Sequence, residues 1–116
     1  MKINQFFFSS LHGVSIHFFA DSFKGPNSKK VQLILPDGRY LGYGDSYRTK
    51  NLKIYDPLDQ LDRTFWLLDF LENADDSDFV MIKNFANEGW RLSSSYRGVK
   101  QEWKANKRWQ LLKSVF

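Results

Sequence analysis

The chain has 116 residues, 42% of them hydrophobic and 17% aromatic, and a formal net charge of +4. This suits one domain, 1–116, that buries its own core. The absence of cysteine excludes disulfide stapling, thiol catalysis and Cys-ligated zinc.

In chain order, residues 3–8 and 14–19 read as two strands, the second with His17 among apolar neighbours. Residues 21–30, around Gly25-Pro26-Asn27-Ser28, read as a loop, and 31–35 as a short buried strand. Pro36-Asp37-Gly38 is a tight turn, since proline fixes φ and glycine accepts a positive φ. Residues 39–43 form the returning strand and 52–55 a short one. Asp56-Pro57, followed by Leu58, Leu61, Phe65 and Leu68 at helical spacing, leaves open a helix near 57–71 and an α+β fold. We favour a turn or single helical turn at 57–62 and a strand at 64–70. A polar loop at 72–78 leads to a strand at 79–83, a turn at 84–89 and a strand at 90–94. Strands at 99–103 and 108–115 flank a turn at Asn106. Ten or eleven short strands predict an all-β domain.

Two segments repeat one pattern: apolar strand, turn, Gly-x-x-Leu, Ser-Tyr-Arg, then Trp-x-Leu. Gly38 pairs with Gly89, Leu41 with Leu92, Ser46-Tyr47-Arg48 with Ser95-Tyr96-Arg97, and Trp66-Leu67-Leu68 with Trp109-Gln110-Leu111. The units span 31–70 and 79–116. A degenerate copy at 3–30 keeps only the strand and a Gly13-Val14-Ser15-Ile16 turn. Trp66, Trp109, Leu41 and Leu92 are expected in the core.

Asp37-Gly38-Arg39-Tyr40-Leu41 with Phe65-Trp66-Leu67-Leu68, and Gly89-Trp90-Arg91-Leu92 with Trp109-Gln110-Leu111, resemble the four-stranded unit of β-trefoils. Ricin-type lectins and fascin-like domains are the nearest in flavour. The resemblance implies a β-trefoil-like fold with two full repeats and one degenerate N-terminal repeat. The sequence carries no catalytic signature, and no cofactor is expected. The Gln-x-Trp ending of ricin-type repeats occurs in neither copy.

His12 and His17, with Ser9, Ser10 and Asp21, contain the residue types of a Ser-His-Asp triad. No nucleophile-elbow pattern surrounds the serines, and one core and one loop histidine is the simpler reading. The run Asp75-Asp76-Ser77-Asp78 departs from a calcium loop and reads as a solvated turn, so no metal is expected.

The functional material is aromatic and cationic. Asp37, Tyr40, Tyr43, Tyr47 and Arg48 gather in one copy, and Trp90, Arg91, Tyr96, Arg97 and Trp103 in the other. Exposed rings stack on the apolar face of a sugar while nearby polar groups bind its hydroxyls. The expected function is therefore non-enzymatic recognition of a glycan or a protein surface, as in a toxin or effector component. Basic residues at 48–53 and 97–108 carry the alternative of a small basic protein that binds nucleic acid, whose bases stack while Lys and Arg meet phosphate, or that inhibits a nucleic-acid-handling complex.

No apolar run approaches membrane-spanning length, and MKINQFFFSSLHG lacks the apolar core of a signal peptide. Cytoplasm, or secretion without disulfides, fits this composition.

Overall fold

The computed structural model describes residues 4–6, 11, 13–19, 27–44, 51–59, 62–70, 79–95 and 98–113. Among them are ten strands, a 3-10 turn at Asp62–Thr64, and no α-helix. The strands are β1 (Asn4–Phe6), β2 (Ser15–Phe18), β3 (Ser28–Ile34), β4 (Tyr40–Tyr43) and β5 (Leu52–Tyr55). They continue as β6 (Phe65–Phe70), β7 (Phe79–Asn84), β8 (Trp90–Ser95), β9 (Gly98–Trp103) and β10 (Trp109–Lys113). Among the described residues no helix is long and apolar enough to cross a membrane.

Six strands pair, all antiparallel, around a circle. β1 pairs with β2, β2 with β3, β3 with β6, β6 with β7, β7 with β10, and β10 with β1. The nearly closed sheet gives backbone groups partners that an open edge would leave exposed. Two hairpins extend from it. β4 and β5 follow from β3, and β8 and β9 from β7. Between β1 and β2, the described residues add no further strand but place Leu11 and Val14 in the core.

The core fills the circle. Ile16, Val31, Leu33, Trp66, Leu68, Phe70, Val80, Ile82, Trp109 and Leu111 meet there, joined by Leu41, Tyr43 and Leu92 from the hairpins. The repeat is visible in its bonds. Val31 lies opposite Trp66, and Val80 opposite Trp109. The Trp66 indole N–H donates to the Leu41 carbonyl at 2.8 Å, and the Trp109 N–H to the Leu92 carbonyl at 3.3 Å. In both units a buried ring thus ties the closing strand to the hairpin's first strand. Each bond gives a buried polar edge the partner it requires.

The all-β expectation holds, and the helix considered for 57–71 does not form over its described part. The turn at Asp56 is closed by a bond from the Asp59 N–H to the Asp56 carbonyl at 2.9 Å. Phe65–Phe70 then runs as a central strand between β3 and β7. Helical spacing of Leu58, Phe65 and Leu68 was misleading because Trp66, Leu67, Leu68 and Phe70 are all buried. Burial on both faces suits a near-continuous apolar strand, whereas a surface helix buries one stripe. The expected loop at 21–30 is also corrected. Ser28, Lys29 and Lys30 begin β3, paired with Asp69, Leu68 and Leu67. The loop expected at 72–78 lies outside the described residues.

The two paired glycines serve different ends. Gly38 has φ +89° and completes the turn after Asp37, where only glycine avoids strain. Gly89 instead underlies a ring: a Cβ there would come within 2.4 Å of Cζ3 of Trp103. The turn before it is organised by Asn84, which is fully buried. Its side-chain oxygen accepts from the N–H groups of Ala86 (2.9 Å) and Asn87 (3.1 Å). Its amide donates to Gln101 Oε1 at 3.1 Å, joining the turn to β9.

Candidate functional site

The ten residues expected to bind ligand separate into distinct settings. Trp90, Arg91 and Trp103 come together at the open end of the β8–β9 hairpin. Trp90 and Trp103 are direct cross-strand partners. Their rings meet edge to face with centroids 5.4 Å apart. Trp90 is buried, 9% exposed, and braces the pair, while Trp103 remains 51% exposed. The absent side chain of Gly89 lets the Trp103 ring settle on the backbone.

The following turn holds this arrangement. Lys104 adopts φ 53°, and its N–H donates to the Gly89 carbonyl at 2.6 Å. The Lys104 ammonium lies 5.9 Å from the Trp103 ring centre. Arg91 donates through Nη1 to the Ala105 carbonyl (3.1 Å) and through Nε to the Glu88 carbonyl (3.2 Å). Its guanidinium therefore braces the two chain segments that support the indole. Chemically the result is an exposed, preset aromatic face with a cation beside it.

The other unit supplies no matching face from its described residues. Tyr43 is 3% exposed, packed edge-on against Trp66 at 5.2 Å. Its hydroxyl donates to the Phe65 carbonyl at 3.0 Å, with the Asp62 carbonyl 3.2 Å away. This corrects the expectation of a ligand-facing ring: Tyr43 ties the hairpin to the 3-10 turn and β6. Trp90 is likewise corrected from a stacking surface to a support. Asp37 is exposed, but its carboxylate is held by Arg39 at 2.7 Å. That hydrogen-bonded pairing keeps the Asp37 carboxyl below its ordinary range and raises the Arg39 guanidinium. Tyr40 is half-buried on β4, opposite Ile34 and Tyr55. Tyr47, Arg48, Tyr96 and Arg97 lie outside the described residues, as do Ser9, Ser10, His12 and Asp21. His17, expected in the core, is exposed on β2. Among the described residues, no three His, Asp or Glu side chains gather as a metal site would require.

Burial pushes the Tyr43 phenol up to about 12. The unfolded chain loses this proton near pH 10, before the folded protein does. Between pH 10 and 12 the unfolded state thus binds fewer protons, and stability falls as pH rises. Partial solvent screening limits the effect to on the order of 1–2 kcal/mol. Chemical denaturation at pH 9 and pH 11 should show a steeper loss for the parent than for Tyr43→Phe. Equal losses would remove Tyr43 as a cause.

Sequence reasoning missed a second surface cluster. Its centre is Lys30, at the end of the segment 21–30 that reads as a loop from sequence. On β3 its ammonium lies 4.1 Å from the ring centre of Phe65, 4.8 Å from Phe85 and 5.8 Å from Phe19. The only local signal is the period-2 alternation that turns Lys30 away from buried Val31 and Leu33. Pairing between β3 and β6 is what brings Phe65 to it.

No protein-family model, curated protein or solved structure matches this chain.

Proposed function

We propose that this chain is a non-enzymatic binding module of β-trefoil type, with no hairpin among the described residues of its N-terminal unit. Its proposed ligand is a glycan that stacks a sugar ring on Trp103. Six strands pairing in a circle, two attached hairpins and the matched indole bonds of Trp66 and Trp109 support the trefoil reading.

The observation that carries the ligand reading is the 51% exposure of an indole already seated on Gly89 and braced by Trp90. An exposed ring of that size leaves apolar area available for burial. A braced ring loses little freedom on binding, so less of the contact energy is spent on ordering it. Lys104 and backbone groups around the turn provide polar partners for hydroxyls.

The test is a glycan-array screen of the purified chain, followed by titration of any hit. Trp103→Ala should weaken binding by at least about tenfold, corresponding to about 1.4 kcal/mol. Its thermal midpoint should stay close to that of the parent. Undiminished binding by the variant, or an empty array, would remove this reading.

A second reading rests on Lys104 beside the indole, with Arg108 exposed in the segment that follows. A nucleic-acid base would stack where the sugar is placed, with phosphate meeting the cations. Salt separates the two. Oligonucleotide binding through phosphate weakens steeply with ionic strength, and neutral-sugar binding changes little.

A further inference from the structure

Two lysines flank Leu67 on the outer face of the strand circle, and they are treated differently. Lys30 and Lys83 are the cross-strand neighbours of Leu67 on β3 and β7. Leu67 is 1% exposed yet stands apart from the central core, and both methylene stems are long enough to shield it. Lys83 is neutralised by Asp69 at 2.6 Å. Lys30 has no carboxylate and no hydrogen-bond acceptor among the described residues. It faces the rings of Phe65, Phe85 and Phe19 instead.

Such rings attract a cation through their electron-rich faces, but they do not replace the strong oxygen acceptors of water. The ammonium is thus positioned beside the rings, while its N–H donors meet no acceptor among the described residues. The flanking cluster continues through Phe19, which packs against Phe65 at 5.4 Å and against the exposed His17 ring at 4.8 Å. Gln32, two residues along β3, donates its side-chain N–H to Thr64 Oγ1 at 2.9 Å. A cation framed by apolar rings, with no carboxylate among the described residues, calls for one negative charge on a compact ligand with an apolar face.

We propose that Lys30, with Phe19, Phe65 and Phe85, forms a binding site for a carboxylate attached to a small ring. The carboxylate accepts charge-assisted hydrogen bonds from the Lys30 ammonium, and the ligand ring lies against the phenylalanine edges. This site shares no residue with the indole face and does not depend on glycan binding there.

The experiment follows side-chain NMR signals of Lys30, Phe65 and Phe85 in the full chain, with the Trp103 indole N–H observed in the same spectra. The probes are benzoate, methyl glucuronide, neutral methyl glucoside and inorganic phosphate. Benzoate and methyl glucuronide should shift the Lys30 and phenylalanine signals saturably. Methyl glucoside should leave them in place, and phosphate should bind at least about tenfold more weakly than benzoate because it offers the rings nothing. Lys30→Gln should weaken carboxylate binding by at least about tenfold, and Lys30→Arg should retain most of it. Overturning results are the absence of saturable shifts with both carboxylates, phosphate binding as tight as benzoate, or shifts that persist in Lys30→Gln. The Trp103 signal reports the indole site separately, so failure at Lys30 is distinguishable from failure there.

Discussion

Replacing Trp66 with alanine should lower the unfolding free energy by about 3–5 kcal/mol, a large share of the roughly 5–15 kcal/mol typical of a domain. Trp66 has no solvent exposure, lies at the centre of the core cluster, and supports the edge of Tyr43. Truncation leaves a cavity where β3, β6 and β7 meet, and it leaves the Leu41 carbonyl without its donor at 2.8 Å. Trp66→Phe separates the two effects. It retains most of the ring and loses the N–H, so the expected loss is about 1–3 kcal/mol. Trp109→Phe should lose a similar amount, because its indole makes the equivalent bond to Leu92. Urea unfolding of the three variants gives the comparison. A Trp66→Phe protein as stable as the parent would show that the bond contributes nothing, and the common design of the two units would then rest on shape alone.

Gly42→Ala should be as damaging, and Gly89→Ala should not. A Cβ at Gly42 would sit 2.3 Å from the Arg63 carbonyl oxygen and 2.8 Å from the Tyr55 ring. The carbonyl belongs to the 3-10 turn that precedes β6. Tyr55 is fixed by the bond from its hydroxyl to the Tyr43 carbonyl at 2.6 Å. Backbone cannot swing aside as a side-chain tip can, so the β4–β5 hairpin must move off the barrel. The expected loss is about 3 kcal/mol, at the upper end of ordinary overpacking. At Gly89 the obstacle is the Trp103 ring, which is half exposed and can be displaced toward solvent by an added Cβ. There the expected change in stability is below about 1 kcal/mol, while the glycan binding proposed at the indole should fall with its lost seat. Thermal melts of both variants decide this. Equal melting points would mean that the barrel does not hold Gly42 against Arg63.

The sequence alone determined the strands that carry strong local signals. Alternation or short apolar runs mark β2, β4, β5 and β7 to within a residue or two. Gly38 after Pro36-Asp37 marks a turn for a backbone reason that needs no tertiary context. The recurrence of Trp66 and Trp109, and of Leu41 and Leu92, disclosed a repeated unit because buried positions in repeated architectures demand the same side chains. Their core placement was legible for the same reason.

Other features depend on partners distant in sequence. Whether Phe65–Phe70 is strand or helix was ambiguous locally, since its apolar residues satisfy both periods; pairing with β3 and β7 on either side selected the strand. Tyr43 and Trp103 are both aromatic residues in hairpins, and composition treated them alike. The 3-10 turn and Trp66 enclose Tyr43, whereas Gly89 lets Trp103 lie on the surface. Lys30 acquired its three rings from β6, the end of β2 and the turn after β7, segments up to 66 positions apart from Phe19 to Phe85. Local sequence carries backbone preference and burial periodicity. Which ring is enclosed, and which cation comes to face rings rather than a described carboxylate, is decided only when non-local strand pairing sets the neighbours of each side chain.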